Sequence, residues 1–252
     1  MTHCNLILSG GGARAYAHIG VIKALHERNI TFDAISATSA GSVVGAFLCD
    51  GFSLEEIIDL FSRKLSLINF NYSLKNGFLS HANLAVVLQK NLRSTHFETL
   101  KYPLFISATN LNDGAQRIFN SGNIIDAVIA SASIPILYKP VIIDDIPYVD
   151  GGISSNLPVE PFYNSDLKTI GVHVNPIDKF DLSQKMKFQM ERLLHLCILD
   201  NMAKNAKKVD LFIEPPQLKQ FSLFDLKNMN NIIRVGYDYA VDQLNGSSLF
   251  DN

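Results

Sequence analysis

Three short stretches set residues capable of chemistry beside backbone capable of assisting them. In ISATSAGSVVGAF, residues 35–47, Ser39 stands between a strand-like and a helix-like run, with Ala37 two residues before it, Ala40 next, and Gly41 two residues after. A serine nucleophile needs a sharp strand-to-helix turn, and small residues on both sides let strand and helix approach. The usual pattern is G-x-S-x-G, so Ala37 is a sterically mild departure. A helix N-terminus favours a developing negative charge, but Ser is also a common N-cap. Taken alone, Ser39 reads equally as cap or nucleophile.

The second stretch is LILSGGGARAYAHIGVIKAL, residues 6–25, where Gly10, Gly11 and Gly12 interrupt an apolar run before helical spacing resumes. Bare backbone there suits either a nucleotide phosphate or an anion that exists only during a reaction. The pattern G-x-G-x-x-A between strand and helix is the context of a dinucleotide fingerprint, and Asp33 lies at a suitable distance downstream. The ribose-binding acid of such a unit sits at the carboxyl end of the second strand, whereas Asp33 falls at the start of the strand expected over Phe32–Ala37. The third stretch is YVDGGISSNLPV, residues 148–159, where Asp150 precedes Gly151 and Gly152. By itself Asp-Gly-Gly is ordinary turn chemistry.

The elements that must position these residues alternate. Strands are expected at Asn5–Ser9, Phe32–Ala37, Leu104–Thr109, Gln116–Phe119, Thr169–Val174 and Val209–Ile213. Val141–Ile143 and Tyr148–Val149 flank the turn DDIP as a hairpin. Helices are expected at Ala15–Arg28, Gly41–Cys49, Ser53–Lys64, His81–Leu92, Asn123–Ser133, Lys185–Asn205 and Asn230–Leu244, the third opened by a capping box of Ser53 and Glu56. This alternation predicts a three-layer α/β/α sandwich with a largely parallel central sheet, covered on both faces. Residues 65–79, LSLINFNYSLKNGFL, are apolar and aromatic without a period, and read as packed loop or as a lipid-facing lid.

The chain has 252 residues, 47% hydrophobic and 18% charged, with a mean hydropathy of +0.13. That describes a large core, and a single domain over residues 1–252 is expected since no linker-like stretch divides them. A net charge of −2, without a basic cluster, argues against a nucleic-acid partner. The three cysteines, Cys4, Cys49 and Cys197, have neither disulfide-framework nor zinc spacing. Asp144 and Asp145 read as a turn, so no metal site is expected. The first apolar run is too short for a signal sequence or membrane span, which points to the cytoplasm, although leaderless export would leave no mark.

In this order and spacing the three stretches resemble the patatin-like phospholipases. GGGARAYAHIGVIKAL is similar to that family's oxyanion segment, ATSAG to its nucleophile elbow, ASASIPILYKPV to the segment before its acid, and YVDGGISSNLPV to its Asp-Gly-Gly element. Ala37 and Ala15 stand where the family has glycine. The resemblance implies a serine acyl hydrolase acting on phospholipids or lysophospholipids, with transient contact at a membrane surface. It further implies Ser39 as nucleophile, Asp150 as base, an oxyanion hole of Gly10, Gly11 and Gly12, no catalytic histidine and no cofactor. Arg14 would be a long-range cation or a loop brace, and Ala40, Gly41, Gly151 and Gly152 would support the turns.

The competing readings are a nucleotide-binding oxidoreductase, a catalytically weak lipid-binding homologue, and an α/β-hydrolase triad of Ser39, Asp150 and His173 in that fold's chain order. His173 lies within the strand-like run TIGVHVNP, where a catalytic loop histidine is not expected. His18 reads as a packed residue, and His195 as part of a buried or partner-facing surface. The apolar closing helices could support a homodimer.

Overall fold

In the computed structural model the described residues are 1–65, 81–177 and 186–247. The lid-like stretch of the sequence falls almost wholly in 66–80, outside them. The centre of the sheet is β1 (Thr2–Leu8), whose last five residues are buried. It pairs in parallel with β2 (Ile30–Thr38) and with β7 (Lys168–Val172). β3 (Leu104–Asn110) extends the sheet in parallel beyond β2, and β8 (Leu211–Ile213) does so beyond β7. Antiparallel pairing is confined to one side, where β4 (Gln116–Phe119) and β6 (Ile146–Asp150) both pair with β3, and β5 (Val141–Ile143) forms a hairpin with β6. The order is β5-β6-β3-β2-β1-β7-β8, with β4 on β3.

Side chains alternate across a strand, and β1 uses both faces. Cys4, Leu6 and Leu8 enter the larger core, whereas Ile7 enters the smaller one with Leu157, Val159 and Phe162. The larger core takes residues of α1 (Tyr16–Glu27), α2 (Ala40–Cys49), α3 (Leu54–Leu60), α4 (Ala82–Asn91), α5 (Ile124–Ser131) and α8 (Met229–Asn245). Over the opposite face, α7 (Met186–Ala206) is tied down by Asn205 Nδ2, which donates to the Leu157 carbonyl at 2.9 Å. The result is the three-layer α/β/α arrangement with a mostly parallel sheet.

Beyond shifts of a few residues at element ends, three departures from the sequence expectation bear on packing and on the site. The predicted Ser53–Lys64 helix has its capping box in place, but its α-helical part ends at Leu60 and Phe61–Leu65 winds on as a wider turn. Phe61 there meets the rings of Tyr16 and Phe47, each at 6.0 Å between centroids. The late strand stops at Val172, because its partner β1 stops at Leu8, where the glycine turn leaves the sheet. A short helix, α6 (Gly152–Ser155), follows Asp150 where only a turn was expected. Among the described residues no helix is long and apolar enough to cross a membrane.

Phe47 is fully buried between Phe52 and Phe61. Phe47→Ala should destabilise the fold by about 3–5 kcal/mol, the usual range for truncating a buried aromatic. Denaturant unfolding measures this, and a shift under about 1 kcal/mol would mean that the site collapses around the change.

Candidate active site

At the carboxyl end of β2 the chain turns directly into α2, and Ser39 makes that turn at φ 52° and ψ −126°. A non-glycine residue held there carries roughly 1–3 kcal/mol of strain that its surroundings must overcome. They do so through hydrogen bonds on both sides. The Ser39 amide donates to Ser131 Oγ at 2.7 Å, which in turn donates to the Ser107 carbonyl at 2.6 Å. The Ser39 carbonyl accepts from the Ser42 amide at 2.9 Å and from Ser42 Oγ at 2.5 Å. The side chain makes no capping bond to α2, so the N-cap reading fails. Ala37 is tolerated in the elbow because α2 presents Gly45 to it: a Cβ on Gly45 would lie 3.5 Å from that of Ala37. Gly41 lies in the first turn of α2, close under the Leu8 and Ser9 carbonyls.

Ser39 Oγ donates to Asp150 Oδ2 at 2.7 Å. Sheet register explains the meeting of residues so far apart in sequence. β2 runs parallel to β3 and its Thr38 pairs with Ser107; β6 runs antiparallel and its Asp150 pairs with Ala108, the next residue along β3. The two strands therefore bring their ends to consecutive positions of one strand. The other oxygen of Asp150, Oδ1, accepts the Gly152 amide at 2.8 Å, its own amide donates to the Ser133 carbonyl at 2.9 Å, and the Gly151 amide donates to the Ser131 carbonyl. Burial pushes the Asp150 carboxyl up to about 6, against the lowering effect of its bonds to Ser39 and Gly152. A carboxylate so placed can accept the serine proton near neutral pH.

The glycine loop packs against this pair. A Cβ on Gly10 would stand 2.8 Å from Ser39 Cβ, and Gly12 has φ +53° with the Leu223 carbonyl 2.3 Å from where its Cβ would be. The Gly10 amide is committed to Asn156 Oδ1 at 3.1 Å. The amides of Ala13 and Arg14 are likewise taken, by the Leu223 and Gly11 carbonyls. Among the described residues the Gly11 and Gly12 amides have no acceptor, nor does that of Ala40 at the start of α2. Arg14 is buried and its Nε donates to the Phe221 carbonyl at 2.7 Å, which makes it a brace between the loop and the 221–223 segment. Ala15 has φ −61°, which needs no glycine.

Two cavities meet at Ser39. One, of about 60 Å³, is lined by Gly10, Gly11, Gly12, Asp150, Asn156 and Asn175 among others. The other, of about 170 Å³, is largely apolar, with Tyr16, Val43, Val44, Phe61, Leu84 and Leu223 in its wall. His81 also lines it, stacked on Tyr138 at 3.9 Å and bonded through Nε2 to Ser133 Oγ at 2.9 Å; burial pushes its imidazole down to about 4 and leaves it neutral.

The remaining candidates lie elsewhere. Asp33 sits in the amino-terminal half of β2, bonded to His3 at 2.6 Å, so the acid that a dinucleotide fingerprint requires at the strand's carboxyl end is not there. His173, just past the end of β7, is bonded through Nδ1 to Glu214 at 2.6 Å, while Ser39 reaches Asp150 directly with no imidazole between them. His18 is fully buried, donates from Nε2 to the Ser9 carbonyl at 2.8 Å, and is pushed down to about 4 by burial. Cys4 and Cys49 are buried free thiols; the side chains of His195 and Cys197 lie outside the described ones. Sequence reasoning gave no role to Ser131, His81, Asn156 or Asn175. For Asn175 a signal existed: it follows the carboxyl end of a parallel strand, where such sheets bind ligands.

Comparison with known proteins bears on the family and the fold. A family model described as patatin-like phospholipase matches residues 6–163. Lysophospholipase NTE1 of Mycosarcoma maydis is 32% identical over 186 residues, covering 69% of this chain and 10% of that protein. Lysophospholipase NTE1 of Saccharomyces cerevisiae is 26% identical over 271 residues, covering 93% of this chain and 16% of that one. The chain thus spans less than a fifth of the length of either relative. Among solved structures, VipD from Legionella pneumophila shares the fold with a TM-score of 0.64 at 16% identity, over 98% of this chain and 67% of that one.

The Asp150 environment gives two expectations of opposite sign. Modification of Ser39 by a fluorophosphonate should accelerate as pH rises through about 6 and then level off, since only the ionised carboxylate accepts the proton. Because the folded-state value lies above the ordinary 3.8, the Asp150 contribution to stability is present below 3.8 and lost as pH rises through about 6. Asp150→Asn should therefore melt at a higher temperature than wild type at pH 8, with the difference closing towards pH 4. Calorimetry across that range checks this, and a pH-independent difference would refute the buried-carboxylate account.

Proposed function

The chain belongs to the patatin-like phospholipase family, and from that premise we propose that it is a lipid acyl hydrolase cleaving carboxylic ester bonds of phospholipids or lysophospholipids. The observation that carries this reading is the direct 2.7 Å bond from Ser39 Oγ to Asp150 Oδ2. Asp150 takes the proton as Ser39 Oγ attacks the ester carbonyl, and the negative oxygen that forms is met by the Gly11 and Gly12 amides. Losing one such donor typically costs about 3 kcal/mol of barrier. The tetrahedral intermediate collapses with cleavage of the ester C–O bond, and the leaving alkoxide takes the proton from Asp150. Water then attacks the acyl-enzyme, gives its proton to Asp150, and the fatty acid departs as Ser39 Oγ is reprotonated.

The apolar cavity beside Ser39 supports a fatty-acyl substrate, as does the likeness to the fungal lysophospholipases. Phe224 and Ile153 line the cavities while remaining 40% and 37% exposed. Apolar side chains at a cavity mouth suit transient contact with a membrane surface.

Ser39→Ala and Asp150→Asn should each lower hydrolysis of lysophosphatidylcholine by about 10³-fold or more, and Ser39→Ala should abolish fluorophosphonate labelling. Equal labelling of wild type and Ser39→Ala would sink the reading, and unchanged turnover in Asp150→Asn would remove the base.

A further inference from the structure

The loop from Ser9 to Gly12 contains three peptide planes, and each is anchored from one or both sides. In the plane between residues 9 and 10, the Ser9 carbonyl accepts His18 Nε2 at 2.8 Å and the Gly10 amide donates to Asn156 Oδ1 at 3.1 Å. In the plane between residues 10 and 11, the Gly10 carbonyl accepts Asn175 Nδ2 at 2.7 Å and Ser9 Oγ at 3.0 Å. In the plane between residues 11 and 12, the Gly11 carbonyl accepts the Arg14 amide at 3.1 Å. The peptide bonds are all trans. In a planar trans peptide the C=O and N–H point in opposite directions. Anchoring the Gly10 carbonyl therefore fixes where the Gly11 amide points, and that amide is one of the loop donors with no protein acceptor among the described residues.

Adjacent glycines resist rotation of the peptide between them less than any other residues. Something outside the loop must supply the missing stiffness. Asn175 is 3% exposed, lines the same cleft as Ser39 and Asp150, and lies beyond the family-matched residues 6–163. Its orientation follows from chemistry, since a backbone carbonyl can only accept and so must face Nδ2. Its Oδ1 is left buried without a partner among the described residues, a cost with no compensation in packing alone.

We infer that Asn175 is a positioning residue for ester hydrolysis: by gripping the Gly10 carbonyl it aims the Gly11 N–H at the negative oxygen of the tetrahedral intermediate. This rests on the Ser39 hydrolase reading. The test uses the full chain carrying Asn175→Ala, and Asn175→Asp, which keeps the side-chain volume but drops the donor and so decides the matter if the alanine variant does not fold. Two quantities are read per fluorophosphonate-titrated site: steady-state hydrolysis of a soluble short-chain ester, and inhibition by an alkyl trifluoromethyl ketone, whose serine adduct carries the same oxyanion. The expected result is a kcat about 10- to 100-fold lower, KM changed less than about twofold, and an inhibition constant raised by the same factor as kcat falls. A purely structural role would lower only the titrated fraction; an unchanged inhibition constant per site, or a loss confined to KM, overturns the inference. A wild-type protein that neither titrates nor turns over ester overturns the hydrolase reading itself, and this one with it.

Discussion

A serine at positive φ, joined directly to a buried carboxylate, is the constraint around which the rest of the molecule is arranged. Neither partner would persist alone. Ser39 would relax out of its strained conformation, and Asp150 would protonate or draw in water. The Ser131 and Ser42 bonds hold the first, and the Gly152 amide and Ser39 hydroxyl hold the second. Ser107 ties the two together, because its carbonyl anchors Ser131 while its position on β3 pairs with Thr38, next to Ala108, which pairs with Asp150.

The pairing of a bare carboxylate with a serine has a chemical consequence. An imidazole base titrates near neutrality unaided, whereas an aspartate must be moved there. Burial does this for Asp150, and the same burial raises the energetic cost of its ionised form. The proposed reactivity and the local instability are thus two readings of one desolvation. The described histidines near the site take other parts. His18 holds the Ser9 carbonyl, His81 is a neutral wall of the apolar cavity, and His173 faces Glu214.

The glycine loop solves a related problem. Glycine lets the backbone pass within contact of Ser39, but the freedom that permits the approach also permits the amides to turn away. Carbonyl anchors come from His18 on α1, from Asn175 after β7 and from the Arg14 amide just past the loop, and with the Gly10 amide held by Asn156 the Gly11 and Gly12 amides are the loop donors left uncommitted among the described residues. Rigidity is imported from the sheet and helices, which is how a flexible segment can present preorganised dipoles.

The sequence by itself carried the alternation of strands and helices, the strand-to-helix turns at Gly10 and Ser39, and the three stretches that resemble one family. Each is a local pattern of periodicity, small residues and turn chemistry, and local patterns survive in a one-dimensional string. Even the misplacement of Asp33 for a nucleotide site was legible, because it depends only on which end of a strand a residue occupies. What tertiary structure alone decided was every relation across the sheet. The partner of the Ser39 hydroxyl is Asp150, 111 residues away. Gly10 left the set of uncommitted donors because of Asn156, 146 residues away, and Asn175 entered from 165 residues away. Such contacts follow from parallel register and crossover geometry, which bring strand ends together without any signature in the residues that meet there.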